Sequence, residues 1–326
     1  MPCVVGLRCS ALVLVAALPA CNGGLSVQPG PSSGLAARDR TVSSEIAKSG
    51  LYVGVTTGST YKIYAYKVTD RRAKGPICTI SGTNADGAVA ADGLGDLMVP
   101  RASQDDVILF KGPELCGPEL GTVADPYGQP SDAASRDARK GTIAIADIFG
   151  TSGAGSIAVC TLSGGCTKNL TNPNMGEVAG VAIDKDGNCY ASSTTSSGTA
   201  TLTYFKHCSG SGKTATGFRN SYYGGLDFDA QGHLLAISAF DARLYVYDGC
   251  RPACKLVGGP FSLDGESVFG HLNKNSTNFA AADFQSGTID VYSYAPTQLT
   301  YRYSFGGFGG PSAIVDGAAY SPSSSE

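Results

Sequence analysis

Tryptophan is absent from this chain of 326 residues, and methionine and histidine occur only three times each. Charged residues make up 16%, against about a quarter in ordinary globular chains. The formal net charge is −3, so the basic field of a nucleic-acid binder is missing. No segment carries 18 consecutive apolar residues, so no segment reads as a membrane-spanning helix. The histidines, His207, His233 and His271, are isolated, which argues against both a histidine metal site and a Ser-His-Asp triad. The G-x-S-x-G spacing occurs once, at Gly30 to Gly34, in a Gly/Pro/Ser-rich stretch with no strand or helix pattern, so no nucleophile elbow is read. Two CxxC pairs at zinc-ribbon distance are also lacking. Glycine, by contrast, is abundant at 44 residues, and 42% of the chain is hydrophobic. Such a chain can fill a core, is rich in turns and is poor in helix formers.

The first twenty residues hold one arginine, Arg8, and an apolar run from Ala11 to Ala20. That run is too short to span a bilayer and fits the core of a signal peptide. Leu18-Pro19-Ala20-Cys21 resembles the bacterial lipobox, which implies lipidation at Cys21; Pro19 departs from the usual pattern. Plain secretion after cleavage near Ala20 is the alternative. Residues 21–49, with NGGLSVQPGPSSG, read as a lipid-anchored flexible linker. Cys3 and Cys9 leave with a signal peptide and Cys21 takes the lipid, so eight of the 11 cysteines remain. In an exported chain these read as disulfides. Cys250–Cys254 and Cys160–Cys166 are the best local pairs, each across a tight turn. Cys189–Cys208 and Cys78–Cys116 are the further candidates among the 105 connectivities that eight cysteines allow.

Residues 50–326 repeat. A strand-like segment recurs at Leu51, Leu97, Thr142, Cys189, Leu234 and Asn278, at intervals of 44 to 47 residues. A second alternating strand follows each, as in YKIYAYKV and RLYVYDG, and a third follows several. An inner strand ending in a turn precedes the anchor, most clearly in GVAIDKDGN-CYAS and GLDFDAQGH-LLAIS. Four short antiparallel strands per unit of about 45 residues predict a β-propeller blade, and six anchors predict six blades. Asp316-Gly317-Ala318-Ala319-Tyr320 matches the inner-strand pattern with no outer strands after it, whereas Leu51 begins without an inner strand. The C-terminal segment is therefore expected to complete the first blade.

GVAIDKDGNCYASSTT and GLDFDAQGHLLAISAFDARLYVYD resemble NHL-type repeats, with D-x-x-G-N/H between two strands. Over roughly Leu51 to Tyr320 the chain is similar to bacterial propeller lipoproteins of the gluconolactonase-like (senescence-marker-protein) superfamily. In its lactonase members a divalent cation sits in the central channel on Glu, Asn and Asp ligands. The resemblance implies Asp86, Asp132, Glu177, Glu266 and Asp316 as candidate ligands, with Asn84 and Asn220 nearby, and Ca²⁺ as the cation. The early E-G-P and later P-N-G of lactonases are absent, so no catalytic residue is carried across.

Asp184-Lys185-Asp186-Gly187-Asn188 has the start of an EF-hand loop but no Glu at the twelfth position, and reads as a hairpin turn. HCSGSGKT, from His207, lacks the first glycine and the helix of a phosphate loop. His271 is placed after an inner strand, where it could face the channel. Tyr222, Tyr223, Phe305 and Phe308 are candidate ligand-face aromatics, with packing between blades as the alternative. Asn169 and Asn275 head sequons that matter only in a eukaryotic source. The expected protein is all-β and monomeric, a non-enzymatic binding or scaffold module for a protein or carbohydrate at the bacterial cell envelope, with no nucleic-acid partner. The alternative is a metal-dependent lactonase-like hydrolase.

Overall fold

The computed structural model describes residues 50–68, 72–83, 85–308 and 313–323; the signal segment, Cys21, the linker and Asn84 lie outside them. The described residues form six antiparallel sheets of four strands. From the axis outward, the first blade comprises Ala313–Ser321, Gly50–Thr57, Thr60–Val68 and Ala73–Ser81. The inner strands of the next five are Ala90–Ala91, Gly128–Ser135, Val178–Ile183, Leu226–Phe228 and Ser267–Leu272. These six inner strands touch in a closed ring. The chain is a six-bladed β-propeller. Its first blade is closed by the C-terminal strand, with Gly50 paired to Ser321 and Thr57 to Ala313.

The second strand of each blade is buried on both faces, as in Leu234–Ser238 and Ile143–Gly150. A blade is flanked by two neighbours, so its strands carry continuous apolar runs rather than an in/out alternation. The period of two persists in a different form. Leu97 and Val99 enter the core between blades one and two, while Met98 enters the core between blades two and three. Leu234 and Ala236 likewise face one seam, and Leu235 and Ile237 the next. Without tryptophan, the seams are filled by tyrosines whose hydroxyls reach across them. Buried Tyr52 accepts from the Cys116 amide at 2.8 Å, and Tyr292 accepts from the Asp264 amide at 2.7 Å.

Four disulfides join the cysteines that the sequence paired: Cys160–Cys166, Cys189–Cys208, Cys250–Cys254 and Cys78–Cys116. They point to an oxidising, extracellular or periplasmic compartment. The first three close local turns. Cys78–Cys116 ties the outer strand of blade one to a loop of blade two and closes 38 residues. Chain entropy then assigns it about 4 kcal/mol, against about 2 kcal/mol for the smallest loop. Replacing Cys78 and Cys116 together by serine is therefore expected to lower Tm by roughly 10 °C, about twice the effect of replacing Cys250 and Cys254. Calorimetry of the two variants checks this; equal losses would show that the loop-size argument does not apply.

Candidate functional site

Alternation of strand direction gives the ring two ends. Loops that lead into inner strands, and those joining second to third strands, lie at the front. The remaining hairpins lie at the rear. Asp184 to Asn188 is such a rear hairpin: the Gly187 amide donates to the Asp184 carbonyl at 2.9 Å, and the Asp184 carboxylate accepts from the Asp186 and Asn188 amides. Gly187 has φ +76°, the left-handed conformation this turn requires. Arg251 reaches the carboxylates of Asp184 at 2.7 Å and Asp186 at 2.6 Å, clasping blades four and five.

The predicted acids separate into four places. Asp132 is completely buried on the inner strand of blade three. Its carboxylate accepts from its neighbour Ala133 N at 2.8 Å and from Val181 N of blade four at 3.1 Å. Asp227, which sequence reading did not single out, does the same between blades five and six, accepting from Phe228 N and from Leu272 N at 2.7 Å. His271 lies within the inner strand Ser267–Leu272, not after it. Its Nδ1 stands 3.7 Å from the Asp227 carboxylate, and its buried Nε2 has no hydrogen-bond partner. Blade three is opposite blade six in a ring of six, and Asp132 and His271 interact electrostatically across the channel. Burial raises the Asp132 carboxyl to about 6, with the His271 charge opposing the shift. Burial alone would lower His271, but Asp227 and Asp132 outweigh it and the net shift is upward.

Asp316 and Asp86 come together at the front, between blades one and two. Asp316 accepts from Thr56 Oγ1 at 2.7 Å, and burial, reinforced by the Asp86 charge, raises it to about 7. Exposed Asp86 also accepts from the Ser103 amide at 3.0 Å. Glu177 is half-buried and accepts from the Tyr223 hydroxyl at 2.6 Å; burial and that bond push the Tyr223 phenol up. Glu266 lies in the turn before the blade-six inner strand, where its carbonyl accepts from Phe284 N. Among the described residues, no three His, Cys, Asp or Glu side chains are grouped closely enough to hold a metal ion.

The aromatic candidates separate as well. Phe305 and Phe308 pack edge-on against Tyr66, at 5.0 and 5.9 Å, in the core between blades six and one. Tyr223 is buried on Glu177. Tyr222 stays 43% exposed and begins a front-face row: its ring meets Phe240 at 5.5 Å, and Phe240 meets Phe284 at 6.1 Å, both edge-to-face. Phe240 has φ +57°, a conformation that bulky residues avoid and that marks strain held by the surroundings. Sequence reading missed Phe240 and Phe284. Each lies at the turn after a second strand, in ISAFDAR and AADFQSG, and that shared position was the available signal.

No protein-family model matches the chain, and no curated protein does. Solved structures match its fold. A chain from a nidogen/laminin complex superposes with a TM-score of 0.58 at 14% identity, over 83% of this chain and 98% of that one. A protein of unknown function from Bacteroides caccae gives 0.58 at 10%, with the same coverage. A 6-phosphogluconolactonase-like protein of Bacteroides fragilis gives 0.52 at 12%, over 83% and 97%. At such identities the likeness establishes the propeller and leaves the chemistry to the site.

Proposed function

We propose that the chain is an exported, lipid-anchored propeller of the NHL-type, gluconolactonase-like class that acts as a non-enzymatic binding module at the cell envelope. The front-face row of Tyr222, Phe240 and Phe284 carries this reading. Edge-to-face rings on adjacent loops of rigid blades offer a platform for the apolar faces of sugar rings or for peptide side chains. The channel acids Asp132 and Asp227, meanwhile, are engaged with backbone amides of neighbouring blades. The test is binding of the full chain to isolated envelope polysaccharide and protein fractions, comparing wild type with Tyr222→Ala. Because Tyr222 is 43% exposed, the variant should keep its Tm while affinity falls about tenfold, the loss of one aromatic contact of ~1.4 kcal/mol. Undiminished binding by the variant would overturn the assignment of this face. Anchoring itself is read from Cys21→Ser, which should move the chain from the detergent to the aqueous phase.

One observation favours a second reading, a metal-dependent lactonase-like hydrolase: Asp86 and Asp316 meet at the front of the ring. Chelator-sensitive lactone turnover that is lost in Asp316→Asn would establish it.

A further inference from the structure

A second pair of acids lies away from the channel, where the front ends of blades two and three meet. Asp125 follows the outer strand Glu119–Ala124 of blade two, and Asp147 lies in the second strand of blade three. Asp125 is 2% exposed and Asp147 is fully buried. Each has one oxygen in ordinary use. Asp125 Oδ1 accepts from Tyr127 N at 2.9 Å, and Asp147 Oδ2 accepts from Ser156 Oγ at 2.7 Å. The other two oxygens, Asp125 Oδ2 and Asp147 Oδ1, are buried and receive no donor from any other residue; the two carboxyls face each other, and only a shared proton can join them by a hydrogen bond. Two facing buried carboxylates repel, so the pair needs either a retained proton or a cation between them.

The blade repeat does not impose this. Asp283 holds the matching place in blade six, five residues after its anchor, and is fully served by its own turn. It accepts from Gln285 N and Ser286 N on one oxygen and from Ser286 Oγ on the other. Asp125, but not Asp147, lines a cleft of about 280 Å³ together with Asp105, Gly128, Gln129 and Phe149 among others. Gly128 is required there, since a Cβ would stand 2.6 Å from both Asp147 Cβ and the Phe149 carbonyl oxygen. The Phe149 carbonyl thus lies near the Asp147 carboxyl. Asp105 adds negative charge to both.

We propose that Asp125 and Asp147 form a Ca²⁺ site that pins blade two to blade three. The donors are all oxygen, and the open cleft leaves room for water to complete the six to eight ligands that Ca²⁺ takes. Mg²⁺, which demands a tight octahedron, fits an asymmetric pair at a cleft wall less well. This proposal is independent of the ligand-binding reading of the front face.

The test uses the full chain, freed of metal with a chelator and titrated with Ca²⁺ or Mg²⁺ in a thermal melt, with Tb³⁺ luminescence as a direct binding signal. Saturating Ca²⁺ should raise Tm by about 5 °C, with Mg²⁺ giving less. The rise and the Tb³⁺ signal should disappear in Asp147→Asn, whose amide can donate to Asp125 and so satisfy the pair without an ion. Asp125→Asn is the second variant should the first not fold. A Ca²⁺ response that survives in both variants, or that is lost instead in Asp132→Asn or Asp316→Asn, would overturn the site. So would a wild-type chain with neither a Tm shift nor Tb³⁺ luminescence.

Discussion

A chain ending at residue 312 is expected not to fold. The missing segment, Ala313–Ser321, is the inner strand of blade one, paired along its length with Gly50–Thr57. Its Ala319 enters the core between blades one and two, and Val315, Ala318 and Tyr320 enter the core between blades six and one. Loss of these side chains costs on the order of 5–10 kcal/mol, comparable with the stability of a whole domain. The ring would also open, leaving the second strand of blade one as an unpaired edge. The truncated chain should show no cooperative melt and should aggregate. Because Ser321 pairs directly with Gly50, a rearranged chain with residues 313–323 placed ahead of Gly50 through a short turn should regain the cooperative transition. A truncated chain melting within a few degrees of wild type would show that the closing strand is dispensable.

Stability should fall as pH rises from 5 to 8, by roughly 10 °C in Tm. Asp92 and Asp132 are fully buried, and burial raises each from 3.8 to about 6. A carboxyl with a raised folded-state pKa binds its proton more tightly folded than unfolded. The folded chain therefore holds more protons between pH 4 and 6, and stability declines as pH rises through that window. Each such carboxyl costs on the order of 3 kcal/mol once both states are ionised. His271 acts with the same sign: its stabilisation is complete below its ordinary 6.5 and is lost as pH rises through its raised folded value. The effects are less than additive, because protonating Asp132 removes a charge that helps to hold the proton on His271. Asp132→Asn should flatten the profile. It should cost about 1 kcal/mol at pH 5, where one amide loses its acceptor, and match or exceed wild type at pH 8. Thermal melts at four pH values decide this; a Tm that rises from pH 5 to 8 would refute the electrostatic account.

The blade repeat, its closure and the disulfide pairs were legible without coordinates because each is a local or periodic property. Alternation of apolar residues marks strands, D-x-x-G-N marks a hairpin, and Cys250 and Cys254 are too near in sequence to span anything but a turn. The inner-strand pattern at Asp316 to Tyr320 repeats that of earlier blades, so closure could be read from similarity alone. The candidate site was legible only in part. Asp86, Asp132, Glu177, Glu266 and Asp316 were recognised as acids near inner strands, but which of them meet was not.

That was decided by register and ring closure. Asp132 and His271 are separated by 139 positions in the chain and interact because their blades stand opposite in a ring of six. Asp125 and Asp147 meet because Gly128, lacking a side chain, lets the start of one strand pass against the next. Phe305 and Phe308 turned inward because the last blade must pack on the first, where Tyr66 receives them. Tyr222 remained outside while its neighbour Tyr223, in the same front loop, turned in onto Glu177. Sequence period sets which side of a strand a residue occupies; only the assembled ring, with its bulges and twist, sets what stands across from it.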